Sequence, residues 1–112
     1  MPEHLNPHGT LFGGQMMSWM DKMGAMLGAR ISKGKVVTAN VSEINFKTPA
    51  LCGDQVQLEA YLFNLGNSSM QILVDAFIIP VSQGSADKTL TATAKFVFVH
   101  LDENNKPKTI PR

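Results

Sequence analysis

Apolar side chains recur with helical spacing between Gly13 and Arg30. At about 100° per residue they form one stripe along a helix, which consists of Met16, Met20, Met23 and Leu27 with Trp19 and Met26 beside it. A face this broad and this apolar needs to be buried. The pattern therefore predicts a core helix.

The rest of the chain alternates with the period of β-strands, and the predicted strands cover residues 36–46, 55–65, 69–81 and 88–101. In the first strand the apolar positions change parity, which predicts a bulge near Ser42-Glu43. Gly66-Asn67-Ser68 is typical of a hairpin turn. We expect the tail from Pro107 to Arg112 to be loosely held.

One helix followed by about four strands with short turns indicates an α+β domain, in which the helix covers one face of an antiparallel sheet. The 112 residues, 1–112, are expected to form one domain. A net charge of +1 gives no reason to expect nucleic acid or a membrane as partner. With Cys52 alone, no signal-peptide pattern and no apolar run of membrane-spanning length, we expect a cytoplasmic protein.

The side of the predicted helix that lies opposite the stripe has very little side-chain volume, because Asp21 is accompanied there by Gly24, Ala25 and Gly28. Each helical glycine costs about 1 kcal/mol relative to alanine. Small residues allow a backbone or a ligand to approach closely, which would bring the Asp21 carboxylate near it. The alternative interpretation is a solvated helix carboxylate.

Gly13 and Gly14 precede the stripe and place unobstructed amides at the start of the helix. Such amides suit an anion or a carbonyl oxygen that is becoming one. The alternative is that the glycines permit a tight entry turn. No Gly-x-x-x-x-Gly-Lys-Ser/Thr pattern is present, so a nucleotide P-loop is excluded.

Several of these residues together resemble the acyl-CoA thioesterases of the hotdog fold. The matching pieces are Asn6-x-x-Gly9-x-x-Phe12-Gly13-Gly14, Met20-Asp21, Gly24-Ala25, Val37-Thr38-Ala39, Ile44-Asn45-Phe46, Gly53-Asp54 and Asn67-x-Ser69-Met70. The resemblance implies a sheet of four to five antiparallel strands wrapped around one long helix. It also implies a homodimer assembled into a tetramer or hexamer. In that family a short strand usually precedes the Met1-Pro2-Glu3 segment, so we expect that edge strand to be missing from this sequence.

The resemblance implies hydrolysis of acyl-CoA to a carboxylic acid and CoA. Asp21 would act as general base or as nucleophile, and Asn6 would orient the water or the thioester oxygen. The Gly14 amide, with Gly13 nearby, would polarise the carbonyl, while Phe12 and His8 belong to the loop at the site. In the family the loop asparagine and the helix aspartate meet across the dimer interface. From the residues alone, Asn6 is equally well a turn residue.

Coenzyme A carries phosphates, so basic residues are expected at the mouth of the site. The weak candidates are Arg30, Lys33, Lys35, Lys88 and Lys95, with Ser68 and Ser69 as hydroxyl donors.

We expect no metal and no cofactor, because the histidines lack ligand spacing. His4 and His100 are predicted to lie on the surface or at a strand end. The methionines are expected in the core, and their adaptable shape would also suit an acyl channel.

Two other functions remain open on the sequence. The first is a non-catalytic acyl-CoA-binding hotdog protein that uses the same cleft. The second is a hotdog dehydratase or hydratase, which is less favoured because His8 does not fit its pattern. A purely structural protein is least favoured, since the sequence suggests no packing need for the small-residue side of the helix.

Overall fold

The computed structural model describes residues 13–46, 55–79 and 88–111, without the side chains of 43–46. It contains one helix and four strands in the predicted order, namely α1 (Gly13–Ser32), β1 (Lys35–Phe46), β2 (Gln55–Leu65), β3 (Ser69–Ile79) and β4 (Thr89–Leu101). The prediction of an α+β domain is confirmed, and the strand bounds agree to within two residues. Within the described residues, no helix is long and apolar enough to cross a membrane.

The four strands form one antiparallel sheet in the order β1-β4-β3-β2. Among the described strands β1 pairs with β4 alone, and it shows register shifts between Thr38 and Asn40 and between Ser42 and Asn45. The second shift confirms the bulge that the change of apolar parity predicted. The first was not predicted, because neighbouring apolar positions keep their parity there. The β2–β3 hairpin closes through a 2.8 Å hydrogen bond from the Gly66 amide to the Ser69 carbonyl.

Helix α1 lies on the sheet, but the buried side differs from the predicted stripe. The buried helix positions are Met16, Met20, Gly24, Gly28 and Ser32, which follow each other at intervals of four. Met23 and Leu27 are only half-buried, and Met26 is 68% exposed. The buried line therefore begins on the methionine stripe and turns toward the small residues as the helix advances.

Gly24 explains why the sheet meets the helix on this side. A Cβ atom at Gly24 would lie 2.8 Å from the ring of Phe98, which stacks on Phe96 with 5.7 Å between ring centroids. The absence of a side chain lets the helix backbone come close to the Phe98 ring. The expectation that the small-residue side has no packing need was wrong, because the partner that approaches closely is the protein's own sheet.

The C-terminal segment is held firmly, so the prediction of a loose tail was wrong. Ile110 is 1% exposed within the core cluster, and its amide donates to the Asn67 carbonyl at 2.8 Å. The Lys108 amide donates to the His100 carbonyl at 2.9 Å. A single apolar residue among lysines and prolines gave no periodic signal, which is why the sequence did not predict this contact.

Candidate active site

Asp21 lies where the sheet-facing side of α1 meets the exposed side. Its Oδ1 atom accepts a hydrogen bond of 2.6 Å from the Thr38 hydroxyl of β1. The side chain is half-buried, and within the described residues its other oxygen accepts no side-chain hydrogen bond. Asp21 is therefore fixed through one oxygen, and the second has no side-chain donor among the described residues. The interpretation of Asp21 as a freely solvated helix residue was wrong.

The sequence does not predict the hydrogen bond between Thr38 and Asp21. Thr38 belongs to the Val37-Thr38-Ala39 piece of the family resemblance, which gives it no role. It lies at the unpredicted register shift of β1, where pairing with β4 moves from Phe98 opposite Thr38 to Val97 opposite Asn40. A bulge commonly redirects a side chain. The available signal was a threonine in one of the pieces that carry the family resemblance.

The strand that holds Thr38 is an edge of the sheet. Strand β1 has β4 on one side and no described strand on the other. Val37 is 47% exposed, and Ala39 and Asn40 are exposed as well. A 12-residue edge strand with exposed apolar residues suits pairing with another chain. Asp21 thus lies beside a surface that can be shared between two chains.

The glycine pair is where the sequence predicted it, since Gly13 and Gly14 are the first two residues of α1. They precede Asp21 by seven or eight positions. At 1.5 Å of rise per residue, their amides lie about 10–12 Å from Asp21 along the axis. The amides and the carboxylate of one chain are therefore about two helical turns apart. Asn6, His8 and Phe12, like His4, lie outside the described residues.

Three weak candidates for CoA binding lie at one end of the sheet. Lys33 follows the C-terminus of α1, and the turn that carries Ser68 and Ser69 is fixed by the tail and by β4. The Ser68 carbonyl accepts a 2.8 Å hydrogen bond from the His100 amide. The structure therefore brings these three residues into the same region.

Lys35 lies near Lys33 and borders the same pocket, whereas the other basic candidates lie elsewhere. Lys95 is on the sheet face that points away from α1, with its amine 5.9 Å from the centroid of the Phe63 ring. Lys88 forms an ion pair with Glu59 and also lies over the Phe77 ring.

Arg30 borders a cavity of about 500 Å³ between α1 and β2, whose other lining residues are Met23, Met26, Leu27, Ala29 and Ala60. On a helical wheel Met23, Met26 and Arg30 are on the flank opposite Asp21. The helix methionines thus divide, with Met16 and Met20 in the core and Met23 and Met26 at this cavity. The cavity does not reach Asp21 of the same chain.

No group of three or more histidine, cysteine, aspartate or glutamate side chains within residues 13–46, 55–79 and 88–111 is arranged to hold a metal ion. The arrangement that does exist is a fixed carboxylate at an open sheet edge. Such a group can remove a proton from water or attack an acyl carbon.

Comparison with known families identifies the group of proteins. A model of the thioesterase superfamily matches residues 8–85, which is most of the chain. The chain belongs to the thioesterase superfamily. The family expected from the motifs is confirmed, and with it the hotdog fold and the classification as a thioester hydrolase.

Relatives of this hotdog thioesterase match over its full length. An uncharacterised acyl-CoA thioester hydrolase of Haemophilus influenzae is 38% identical over 113 residues, which are 100% of this chain and 73% of that one. The solved structure of HI0827, a hexameric broad-specificity acyl-CoA thioesterase with one aspartate changed to alanine, has a TM-score of 0.95 and 36% identity. This match covers 100% of this chain and 81% of that one.

A third relative is the acyl-CoA hydrolase of Staphylococcus aureus, solved in complex with butyryl-CoA, CoA and CoA disulfide. It has a TM-score of 0.91 and 33% identity, covering 99% of this chain and 66% of that one. The same hydrolase has been solved with one aspartate or one asparagine changed to alanine.

Proposed function

We propose that this protein hydrolyses the thioester of acyl-CoA, giving a carboxylic acid and CoA. The observation that carries the proposal is the 2.6 Å hydrogen bond from Thr38 to Asp21, which fixes a carboxylate at an open sheet edge. A hydroxyl that donates to one carboxylate oxygen orients the group and leaves the other oxygen for chemistry. Thioester hydrolysis needs little more than such a carboxylate and donors for the oxyanion.

In the proposed reaction Asp21 takes a proton from water while the water oxygen attacks the acyl carbon. The negative charge that develops on the carbonyl oxygen is stabilised by backbone amides at the start of α1, principally that of Gly14. The C–S bond then breaks, and CoA leaves as a thiolate that takes up the proton. A thiolate with a pKa of about 8.5 leaves readily, so the leaving group needs no separate acid.

The active site is proposed to combine two chains. The Gly14 amide is about two helical turns away from Asp21 of its own chain, which supports an amide from a second copy at the carbonyl that Asp21 faces. The open edge of β1 offers the surface for that copy. Asn6 of the second copy would orient the water or the carbonyl, with Phe12 and His8 near the acyl group. Dimers of this kind are proposed to assemble into a tetramer or hexamer.

The S. aureus hydrolase supports the choice of residues. The asparagine and the aspartate that were replaced in its two variants are 15 positions apart, which is also the separation of Asn6 and Asp21. HI0827 was likewise solved with one aspartate replaced. Asp21 and Asn6 are therefore proposed as the catalytic side chains and Thr38 as the residue that positions Asp21.

The activity is tested by measuring free-thiol release from acyl-CoAs of increasing chain length, with wild type and Asp21→Asn. We expect hydrolysis by the wild type and a large loss in the variant. Tight binding of acyl-CoA without hydrolysis at any chain length would contradict the proposal and favour a non-catalytic binding protein.

A single turnover in ¹⁸O-labelled water distinguishes the two possible roles of Asp21, general base and nucleophile. A general base puts the label into the acid, whereas a nucleophile puts it into Asp21 in the first turnover.

A further inference from the structure

A second pocket lies at the end of the sheet where α1 ends and the C-terminal segment crosses. It has a volume of about 300 Å³ and is lined by residues from the α1–β1 turn, the end of β4 and the tail. We call it the His100 pocket, because the ring of His100 forms its floor. The pocket is at the opposite end of α1 from Gly13 and Gly14, and the mechanism proposed above does not use it.

His100 is 3% exposed, and its two ring nitrogens have different surroundings. Nδ1 lies 3.1 Å from the Lys108 carbonyl oxygen and 3.3 Å from that of Thr109. Because carbonyl oxygens only accept, Nδ1 carries the hydrogen that they share. Within the described residues, Nε2 makes no hydrogen bond. A buried imidazole thus presents its second nitrogen to the pocket.

Gly34 keeps that nitrogen accessible. A Cβ atom at Gly34 would lie 2.7 Å from Nε2 of His100, so any side chain there would fill the space above the ring. The left-handed conformation that ends α1 is adopted by Lys33 (φ 58°), while the Gly34 amide donates to the Ala29 carbonyl at 3.3 Å. This is a Schellman ending in which lysine stands at the position usually taken by glycine. The glycine is used for the close approach to His100 instead.

The walls of the pocket carry three lysines, namely Lys33, Lys35 and Lys108. Within the described residues none of them forms an ion pair, and the Lys35 amine donates to the neutral side-chain oxygen of Asn105 at 2.5 Å. Two carboxylates also border the pocket, Asp102 and Glu103.

Asp102 keeps its negative charge, which partly offsets the charges of Lys108 and Lys35. Its Oδ1 accepts from the amides of Lys106 and Asn104 at 2.9 Å and 2.8 Å, and these bonds hold the pKa of Asp102 below its usual value. Glu103 is exposed, as are the three lysines, so solvent screens the charges of all four. The lining therefore carries three ammonium groups against two carboxylates, a formal excess of one positive charge, together with the imidazole nitrogen.

We propose that the His100 pocket binds a phosphate group. Lysine ammonium groups bind phosphate as point charges, and Nε2 completes the contacts. It accepts from a protonated phosphate oxygen when the ring is neutral and donates when the ring is charged. The volume suits a phosphate with part of the group that carries it. Ser68 is on the neighbouring turn, which His100 and Ile110 fix through backbone hydrogen bonds.

The phosphate has two potential sources, the CoA part of a substrate or a separate phosphate compound. Lys35 precedes Thr38 by three residues, about 10 Å along the strand. An extended pantetheine arm is as long as about five residues of extended chain, roughly 17 Å. A thioester held at Asp21 can therefore place its phosphates at this pocket, and this source rests on the function proposed above.

Binding is tested directly by adding inorganic phosphate to the protein while following the histidine ring ¹⁵N signals by NMR. His100→Asn identifies the His100 signals, because the chain has only three histidines. We expect saturable movement of the His100 Nε2 signal. Removing one ammonium contact with Lys108→Gln should weaken binding about tenfold. Lys106→Gln is the matched control, since Lys106 is exposed, nearby and outside the pocket lining.

The same titration shows whether the contact depends on Nε2. In His100→Asn the side-chain amide can still donate to the tail carbonyls, while the nitrogen that faces the pocket is lost. An unchanged melting temperature with weakened phosphate binding supports the proposal. It is overturned if phosphate leaves the His100 signals unmoved, or if the two lysine variants weaken binding equally. This test is valid even if the protein proves not to hydrolyse acyl-CoA.

The source of the phosphate is decided by kinetics with acyl-CoA and with the corresponding acyl-pantetheine, which has no phosphate. If the substrate's phosphate binds, Lys108→Gln raises KM several-fold for acyl-CoA with unchanged kcat, and changes neither constant for acyl-pantetheine. If a separate compound binds, inorganic phosphate changes turnover of acyl-pantetheine by the wild type but not by Lys108→Gln. If neither effect occurs, a functional phosphate site is contradicted.

Discussion

Two half-buried aspartates of this protein each accept a hydrogen bond from a threonine hydroxyl, but their environments differ. Among the described residues Asp21 accepts a side-chain hydrogen bond only from Thr38, through Oδ1, beside the edge of β1 that no described strand covers. Asp75 lies on an inner strand of the sheet and on its outer face. Its Oδ1 accepts from Thr93 at 2.7 Å, and its Oδ2 accepts from the Tyr61 hydroxyl.

This difference is the one we expect between a structural carboxylate and a reactive one. Both oxygens of Asp75 are occupied by hydroxyl donors in a cross-strand row, where Asp75 is opposite Glu59 on one side and Thr93 on the other. Asp21 has one oxygen with a hydroxyl donor and one without a side-chain donor in the described part of the chain, and we propose that the second meets water or substrate. A threonine next to an aspartate is thus not diagnostic of a site, whereas an unused carboxylate oxygen at a surface that two chains can share is informative.

The largest expected effect is the loss of activity when Asp21 is neutralised, and neutralising Asp75 is the matched comparison. Asp21→Asn should lower kcat for acyl-CoA hydrolysis by about 10²–10⁴-fold, because the group that activates water is lost. Asp75→Asn should leave kcat within about threefold and cost about 1 kcal/mol of folding stability. Thiol-release kinetics and denaturant unfolding measure both quantities. A similar loss of activity in the two variants would remove the distinction between the carboxylates.

Removing the two threonine hydroxyls should give a smaller contrast. Thr38→Val leaves Asp21 charged but unheld, so we expect about a tenfold loss in kcat. Both substitutions should lower the free energy of unfolding by about 1 kcal/mol, but Thr93→Val should leave kcat unchanged. The comparison would be contradicted if Thr38→Val kept full kcat while its stability fell, since Thr38 would then be a purely structural partner.

The packing of α1 on the sheet is expected to affect the hydrogen bond between Thr38 and Asp21. Gly24→Ala forces a methyl group against the Phe98 ring and should destabilise the fold by about 1–3 kcal/mol. Because this moves the helix away from β1, kcat should fall as well. At Gly28 a Cβ atom would be 3.5 Å from Met70, an ordinary contact. Gly28→Ala should therefore stabilise the protein by up to about 1 kcal/mol and keep kcat, as measured by thermal unfolding and thiol release.

The smallest effect concerns the pH dependence at Asp75. Its hydrogen bond with Tyr61, with smaller contributions from burial and from the charges of Asp75 and Glu59, raises the pKa of Tyr61 to about 12. A raised tyrosine pKa stabilises the folded state below pH 10, and this contribution is lost between pH 10 and 12. Tyr61 is the only tyrosine, so absorbance at 295 nm titrates it alone. Asp75→Asn should bring its midpoint back toward 10, while Asp21→Asn should not move it.

The sequence was sufficient for the elements and the family, but not for the packing of the helix. Alternation and turn residues predicted all four strands and one bulge, because those signals are local. The buried side of α1 was predicted only in part, since glycine has no hydrophobicity by which a pattern can detect it. Gly24 is buried because of Phe98, a residue 74 positions away in the chain.

The candidate site was predictable to a similar extent. Asp21, Gly13 and Gly14 were identified from their spacing and from family resemblance. Thr38 was missed because its contact with Asp21 depends on how the edge strand crosses the helix. The burial of His100 was missed because it depends on the tail, where Ile110 is the single apolar anchor.

The central claim is that one active site combines Asp21 of one chain with the loop and helix start of another. It is tested most directly by mixing two inactive proteins, Asn6→Ala and Asp21→Ala, under conditions in which subunit exchange is verified by native mass spectrometry. The claim predicts that activity returns, because a mixed dimer has one site with both residues intact. If mixed dimers form and thiol release stays at the level of the separate variants, the two residues act within one chain and the claim is contradicted.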